Sequence, residues 1–219
     1  MTDRHPVPRP SAARPPRTVP TRGGWAATAA SVATILLLVA AASAGETPRV
    51  RVAEEAGGGA LRFDVAMSGP TFFFEGATNE NGFPANGTPF IVRGWIYPAG
   101  TFAAHGSSSG TNADGSPEFP DQVLGTWYCR GWHLQDGDAL TGPVVATTQV
   151  FDLDPERPGA KTLVTDGLEL ADFLVPFDRA IVGGTGRYRT AGGSATQVYV
   201  DFNGSGGFNT SFVLRPNGR

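Results

Sequence analysis

The chain is 219 residues long, 40% hydrophobic and 17% charged, with a formal net charge of −3 and one cysteine, Cys129; that is room for one ordinary domain plus an extension, and it excludes an intramolecular disulfide. The charge is divided unevenly: residues 1–44 hold five arginines and one aspartate, and residues 45–219 hold twelve basic against nineteen acidic side chains, a net of −7. So acidic a domain argues against nucleic acid, where basic patches supply most of the affinity, and against strong attraction to anionic membranes.

Residues 1–24 are rich in Pro and Arg and can bury almost nothing, which predicts a disordered basic leader. Residues 25–44, WAATAASVATILLLVAAASA, are uncharged and apolar and predict one helix. The run ends in Ala42-Ser43-Ala44, the small-residue pattern of a signal-peptidase site, so it reads as the h-region of a secretory signal. The competing reading is an uncleaved membrane anchor, because twenty apolar residues just span a bilayer. Both readings place the chain from Gly45 onward outside the cytoplasm, either secreted or tethered by the N-terminal helix. Residues 45–59 form a linker ending in Gly57-Gly58-Gly59.

From residue 60 to 216 the pattern is β. Leu61, Phe63, Val65 and Met67 alternate with Arg62, Asp64 and Ala66, the period of a half-buried strand. Further strands are predicted over 90–97, 123–134, 145–153, 162–165, 178–182, 188–190, 196–202 and 209–214. Phe102 and Ala103 read as the start of another, and 168–175 as a strand whose spacing would also suit one or two helical turns. Phe72-Phe73-Phe74 is a short apolar run before a polar loop. Many short strands with glycine-rich turns suggest a sandwich or a closed barrel, and closure removes the exposed edges that make open sheets aggregate. The expected fold class is all-β.

The segment 179–193, RAIVGGTGRYRTAGG, joins an apolar strand to an aromatic-bearing one through Gly183-Gly184-Thr185-Gly186. This turn, with Asp166-Gly167 upstream and Arg187-Tyr188 downstream, resembles the dirigent and allene oxide cyclase family over roughly residues 61–214. The stretch 125–133 is more similar to secreted bacterial members than to the plant ones. The family arginine is replaced by Gly192, and its pocket carboxylates find no aligned position, so no catalytic residue is carried over. The resemblance implies a closed eight-stranded antiparallel β-barrel, a homo-trimer, a hydrophobic cavity and no metal or other cofactor. It also implies either steering of radicals made by a partner oxidase or closure of an unsaturated epoxide ring.

Four residues stand out as ligand-binding candidates: Tyr128, Arg130, Trp132 and Tyr199. Strand parity puts Tyr128, Arg130 and Trp132 on one face of the 123–134 strand and Trp127, Cys129 and His133 on the other, and does not say which face is inside. The bland alternative has Trp127 and Trp132 packing the core and Arg130 reaching outward. Cys129 and His133, four residues apart in a strand, are ~13 Å apart and too distant for a nucleophile-base pair. Gly183, Gly184, Thr185 and Gly186 form a structural turn; they lack the Gly-Lys-Ser/Thr ending of a phosphate loop. Asp64, Glu75, Asp166, Glu169 and Asp201 are the acids near strands; one held inside a barrel would have a raised pKa, whereas Asp166 before Gly167 reads as a turn residue. Two histidines in residues 45–219, without a spaced set of acids, suggest no metal site.

The leading expectation is an exported barrel that binds a small hydrophobic or phenolic molecule and constrains its shape without turnover. One alternative is a cyclase or isomerase using a buried carboxylate or tyrosine, and another a structural or interaction barrel with a filled interior.

Overall fold

The computed structural model describes residues 59–217. The leader, the apolar run and nearly all of the linker lie outside them. Among the described residues there are nine strands: β1 (Leu61–Met67), β2 (Phe73–Phe74), β3 (Pro89–Pro98), β4 (Gly125–His133), β5 (Pro143–Asp152), β6 (Thr162–Leu170), β7 (Phe177–Gly184), β8 (Gly192–Phe202) and β9 (Phe208–Asn217). Each pairs antiparallel with its neighbour from β3 to β9. The ring closes through β1, which pairs with β9 at Phe63↔Phe212 and with β3 at Val65↔Ile96. Eight strands therefore form a closed antiparallel barrel. The two-residue β2 continues the line of β1 along β3, pairing at Phe73↔Ile91.

Strand alternation decides what fills this barrel. Leu61, Phe63 and Val65 of β1, Ile96 of β3, Phe151 of β5, Leu163 of β6 and Phe212 and Leu214 of β9 are all fully buried and form one core. The rings of Phe63, Phe151 and Phe212 meet pairwise at 5.0–5.8 Å, a plug across one end of the lumen. A second, smaller core lies outside the barrel, where Tyr97, Ala66 and Phe102 are covered by the long connection between β3 and β4. Asp64 faces this outer layer, accepting from the Phe102 backbone N–H at 3.2 Å and from Ser211 Oγ at 2.7 Å.

Four sequence expectations differ from the structure. Phe102 and Ala103 lie in a short helix, α1 (Thr101–His105), which drives Phe102 into the outer core. Asp166-Gly167 is not a turn: β6 runs straight through it, with Asp166 opposite Thr148 and accepting from its hydroxyl at 2.7 Å. Residues 168–170 end that strand, and 171–175 leave it as irregular backbone in which Leu174 has φ 60°.

The fourth concerns the glycine turn. Residues 188–190 are not a strand; β7 ends at Gly184, a 3-10 turn spans Gly186–Tyr188 and β8 begins at Gly192. The buried Tyr188 packs into the main core at the plugged end. A side chain at Gly184 would collide with the Thr162 carbonyl at 2.3 Å, and Gly186 combines φ +57° with the Ala160 carbonyl 2.5 Å from where a Cβ would sit. Thr185 clamps the neighbouring connection, its Oγ1 donating to the Gly159 carbonyl at 2.7 Å and accepting from the Thr162 N–H at 3.0 Å. The motif seals the end of the barrel remote from the cavity.

Candidate functional site

Above the phenylalanine plug the inward positions change character. β5 presents Val145, Thr147 and Gln149 before Phe151; β8 presents Gln197 and Tyr199 after Ala195; β6 presents Thr165 and Glu169 after Leu163. These smaller and polar side chains leave a cavity of about 530 Å³ at the opposite end of the lumen, within the ~300–1,000 Å³ range of small-molecule sites. Val65, Val92, Trp127 and Thr210 line its depth, and Phe83, Leu140, Phe173 and Phe202 its mouth. Leu140 is 84% exposed and Phe202 51%, so the rim is apolar where it meets solvent.

Glu169 is the centre of the polar wall. Its side chain is 3% exposed and forms an ion pair with Arg179, itself fully buried, at 3.3 Å. Gln149 and Gln197 donate to its two oxygens at 2.9 and 3.0 Å, and the hydroxyls of Thr147 and Tyr199 donate as well. Cys129 Sγ lies 3.6 Å from the same carboxylate. Arg179 comes from β7 and is held in turn by the carbonyl of Thr147 at 2.7 Å and those of Gly167 and Leu168 at 3.3 Å. Strand pairing assembles the group: Cys129, Gln149 and Thr165 stand side by side on β4, β5 and β6.

Burial alone would raise the Glu169 pKa, but Arg179 and the converging hydroxyl and amide donors outweigh it and hold the carboxyl below its usual value. The interior carboxylate therefore departs from the expected raised pKa. The raised one is Asp64, in the outer layer, where burial outweighs its hydrogen bonds. Burial and then Glu169 push the Tyr199 hydroxyl and the Cys129 thiol well up. Cys129 is thus a buried neutral thiol rather than a ready nucleophile. Burial lowers the His133 pKa against the opposing pull of Asp136, so its ring is neutral at neutral pH.

Of the four candidates from the sequence, Tyr199 borders the cavity. Tyr128 and Trp132 point outward, 43% and 61% exposed, and Arg130 is exposed beside them. The inward face of β4 is the other one, with Trp127, Cys129 and His133. Trp127 and Cys129 on that face pack into the main core, whereas turning the other face inward would bury the Arg130 charge. Gly183, Gly184, Thr185 and Gly186 form the seal described above. Among the described residues no three His, Cys, Asp or Glu side chains are grouped to hold a metal, and no helix is long and apolar enough to cross a membrane.

Arg179, Thr147, Gln149 and Gln197 escaped the sequence reading. The signal was present as period-two runs in which a polar residue takes an inward place, Val145-Thr147-Gln149-Phe151 and Ala195-Gln197-Tyr199.

No family model matches this chain, and no curated protein matches it. Among solved structures it is similar to a pyocyanin demethylase, at 15% identity over 71% of this chain and 99% of that one, with a TM-score of 0.43. It is also similar to a pterocarpan synthase dirigent protein, at 19% identity over 72% of this chain and 90% of that one, with a TM-score of 0.43.

Proposed function

We propose that this barrel binds a small, mainly apolar molecule, of the hydrophobic or phenolic kind, inside its open half and constrains its conformation without turnover. The observation that carries the reading is the cavity of about 530 Å³, lined in its depth by Val65, Val92, Trp127 and Thr210 and open at an apolar rim. A rigid pocket of that kind fixes a flexible molecule by shape, with few polar contacts. The cavity speaks against the filled structural barrel.

The cyclase or isomerase alternative draws on one observation, the Tyr199 hydroxyl donating to Glu169 beside the cavity. Against it, the tyrosine is pushed toward a weaker acid and the carboxylate toward a weaker base, and the carboxylate oxygens are already occupied. Export belongs to the reading through the apolar run and its Ala-Ser-Ala exit. A homo-trimer and a partner oxidase enter only through the family resemblance.

The test is a thermal-shift screen of the full-length chain against neutral aromatic and terpenoid compounds. A ligand at a hundred times its dissociation constant stabilises by about 2.7 kcal/mol, or roughly 5–10 °C in a protein of this size. A screen in which no such compound raises the midpoint, with charged and polar sets equally silent, would refute the proposal.

A further inference from the structure

The polar groups in and behind the cavity wall fall into two sets. Glu169, Arg179, Tyr199, Gln149 and Gln197 are partnered among themselves. Trp127 and His133 are not. The indole Nε1 of Trp127 and both ring nitrogens of His133 have no hydrogen-bonding partner among the described residues. Yet both side chains are only 6% exposed and both line the cavity. A buried donor or acceptor without a partner is costly, and that cost is recovered when a ligand supplies the missing group.

The chemistry of these groups constrains what can fill them. An indole N–H only donates, so it calls for an acceptor. A neutral imidazole offers one donor and one acceptor, which a hydroxyl can meet in either sense. Trp127 lies opposite Phe151 of the plug, at the floor, whereas His133 ends β4 near the mouth, with its ring 5.1 Å from that of Phe90. Six residues of strand separate them by ~20 Å, so no single polar group serves both. The lining contains Glu169 and Asp138 and neither Lys nor Arg, which disfavours an anion. Glu169 is already neutralised by Arg179, and the carboxylate of Asp138 is held by Asn79 and Asn81 at 2.8 and 2.9 Å, which leaves little to attract a cation.

Resting on the binding reading above, we infer that the ligand is an elongated neutral molecule with an apolar body. A hydrogen-bond acceptor at its leading end, a carbonyl or ether oxygen, takes the Trp127 N–H, and a hydroxyl at its trailing end meets His133.

The test uses two fluorescent naphthols that carry, at the far end of the ring system, a seven-carbon chain whose penultimate carbon is either a ketone or a CH2, which sets hydroxyl and carbonyl about 14 Å apart, the ~20 Å span less two hydrogen bonds. Both are titrated into the full-length chain. The parent binds the ketone about tenfold tighter, the worth of one neutral hydrogen bond. Trp127→Phe abolishes that preference by weakening the ketone alone. His133→Phe, which keeps a ring against Phe90, weakens both probes alike. Independently of any variant, the Trp127 Nε1–H proton resonance moves downfield with the ketone and not with the alkyl compound. Equal affinity of the parent for both probes, a preference that survives Trp127→Phe, or an unmoved indole resonance overturns the inference while the binding reading stands. If thermal-shift hits exist but neither naphthol binds, the ligand class assigned here is wrong; if nothing binds at all, the binding reading falls with it.

Discussion

The two ends of the barrel lumen are built on the same eight strands and filled in opposite ways. At one end the inward places hold Phe63, Phe151, Phe212, Leu61 and Leu163, all essentially inaccessible, and the glycine turn folds Tyr188 over them. At the other, a few residues further along the same strands, the inward places hold Thr147, Gln149, Gln197, Thr210 and Glu169, and the lumen opens. Backbone closure is common to both, so side-chain volume and polarity alone divide the cylinder into a structural end and a binding end. Stability and ligand affinity should therefore be separable by mutation.

The largest effect on stability belongs to the plug. Phe151→Ala removes a ring that touches both Phe63 and Phe212 and should cost about 3–5 kcal/mol in urea unfolding. A loss under 1 kcal/mol would mean that the plugged end is not the structural one. Next comes the charge pair buried beside the cavity. Arg179→Met strands the Glu169 carboxylate without its cation and should cost about 3–5 kcal/mol, whereas adding Glu169→Gln to that variant should restore part of the loss. Additive losses in the double variant would show that the two side chains do not depend on one another.

A pH series sharpens the same contrast. Glu169 is held below its usual range in the fold, so its contribution is complete above the unfolded carboxylate value of about 4.3 and is lost as pH falls through the folded value. Asp64 has the opposite sign: its raised pKa means that ionisation costs stability as pH rises through the folded value. Urea midpoints measured from neutral to acid pH should fall in the parent and fall less steeply in Glu169→Gln. An unchanged slope would place the acid-sensitive group elsewhere. The smallest effect is expected on the outer face, where Arg130→Ala should change stability by no more than about 0.5 kcal/mol and leave ligand affinity unaltered.

Much of this fold was readable from alternation. Leu61 to Met67, the aromatic run ending at His133 and the closing pair of strands stand where their period-two patterns place them, because each has one face committed to an apolar interior. What alternation lacks is a sense of inside. By alternation Tyr128, Arg130 and Trp132 suit a cavity as well as Trp127, Cys129 and His133, and it is the packing of Trp127 and Cys129 into the core that separates the two faces. A glycine does not by itself stop a strand: Gly167, which after Asp166 reads as part of a turn, lies within β6. Tyr199 and the acid Glu169 were visible as candidates, but their partner Arg179 was not, since an arginine next to an apolar strand ordinarily points to water. Its burial depends on carbonyls of Thr147, Gly167 and Leu168, supplied by β5 and β6.

The most direct test of the division is a variant that fills the binding end. Val92 lines the cavity and is 3% exposed; Val92→Trp places an indole in the open half without touching the phenylalanine plug. Affinity for the strongest thermal-shift hit should fall at least tenfold while the urea midpoint of the unliganded chain stays close to the parent's. Undiminished affinity in a folded Val92→Trp chain would show that the ligand binds somewhere other than the lumen.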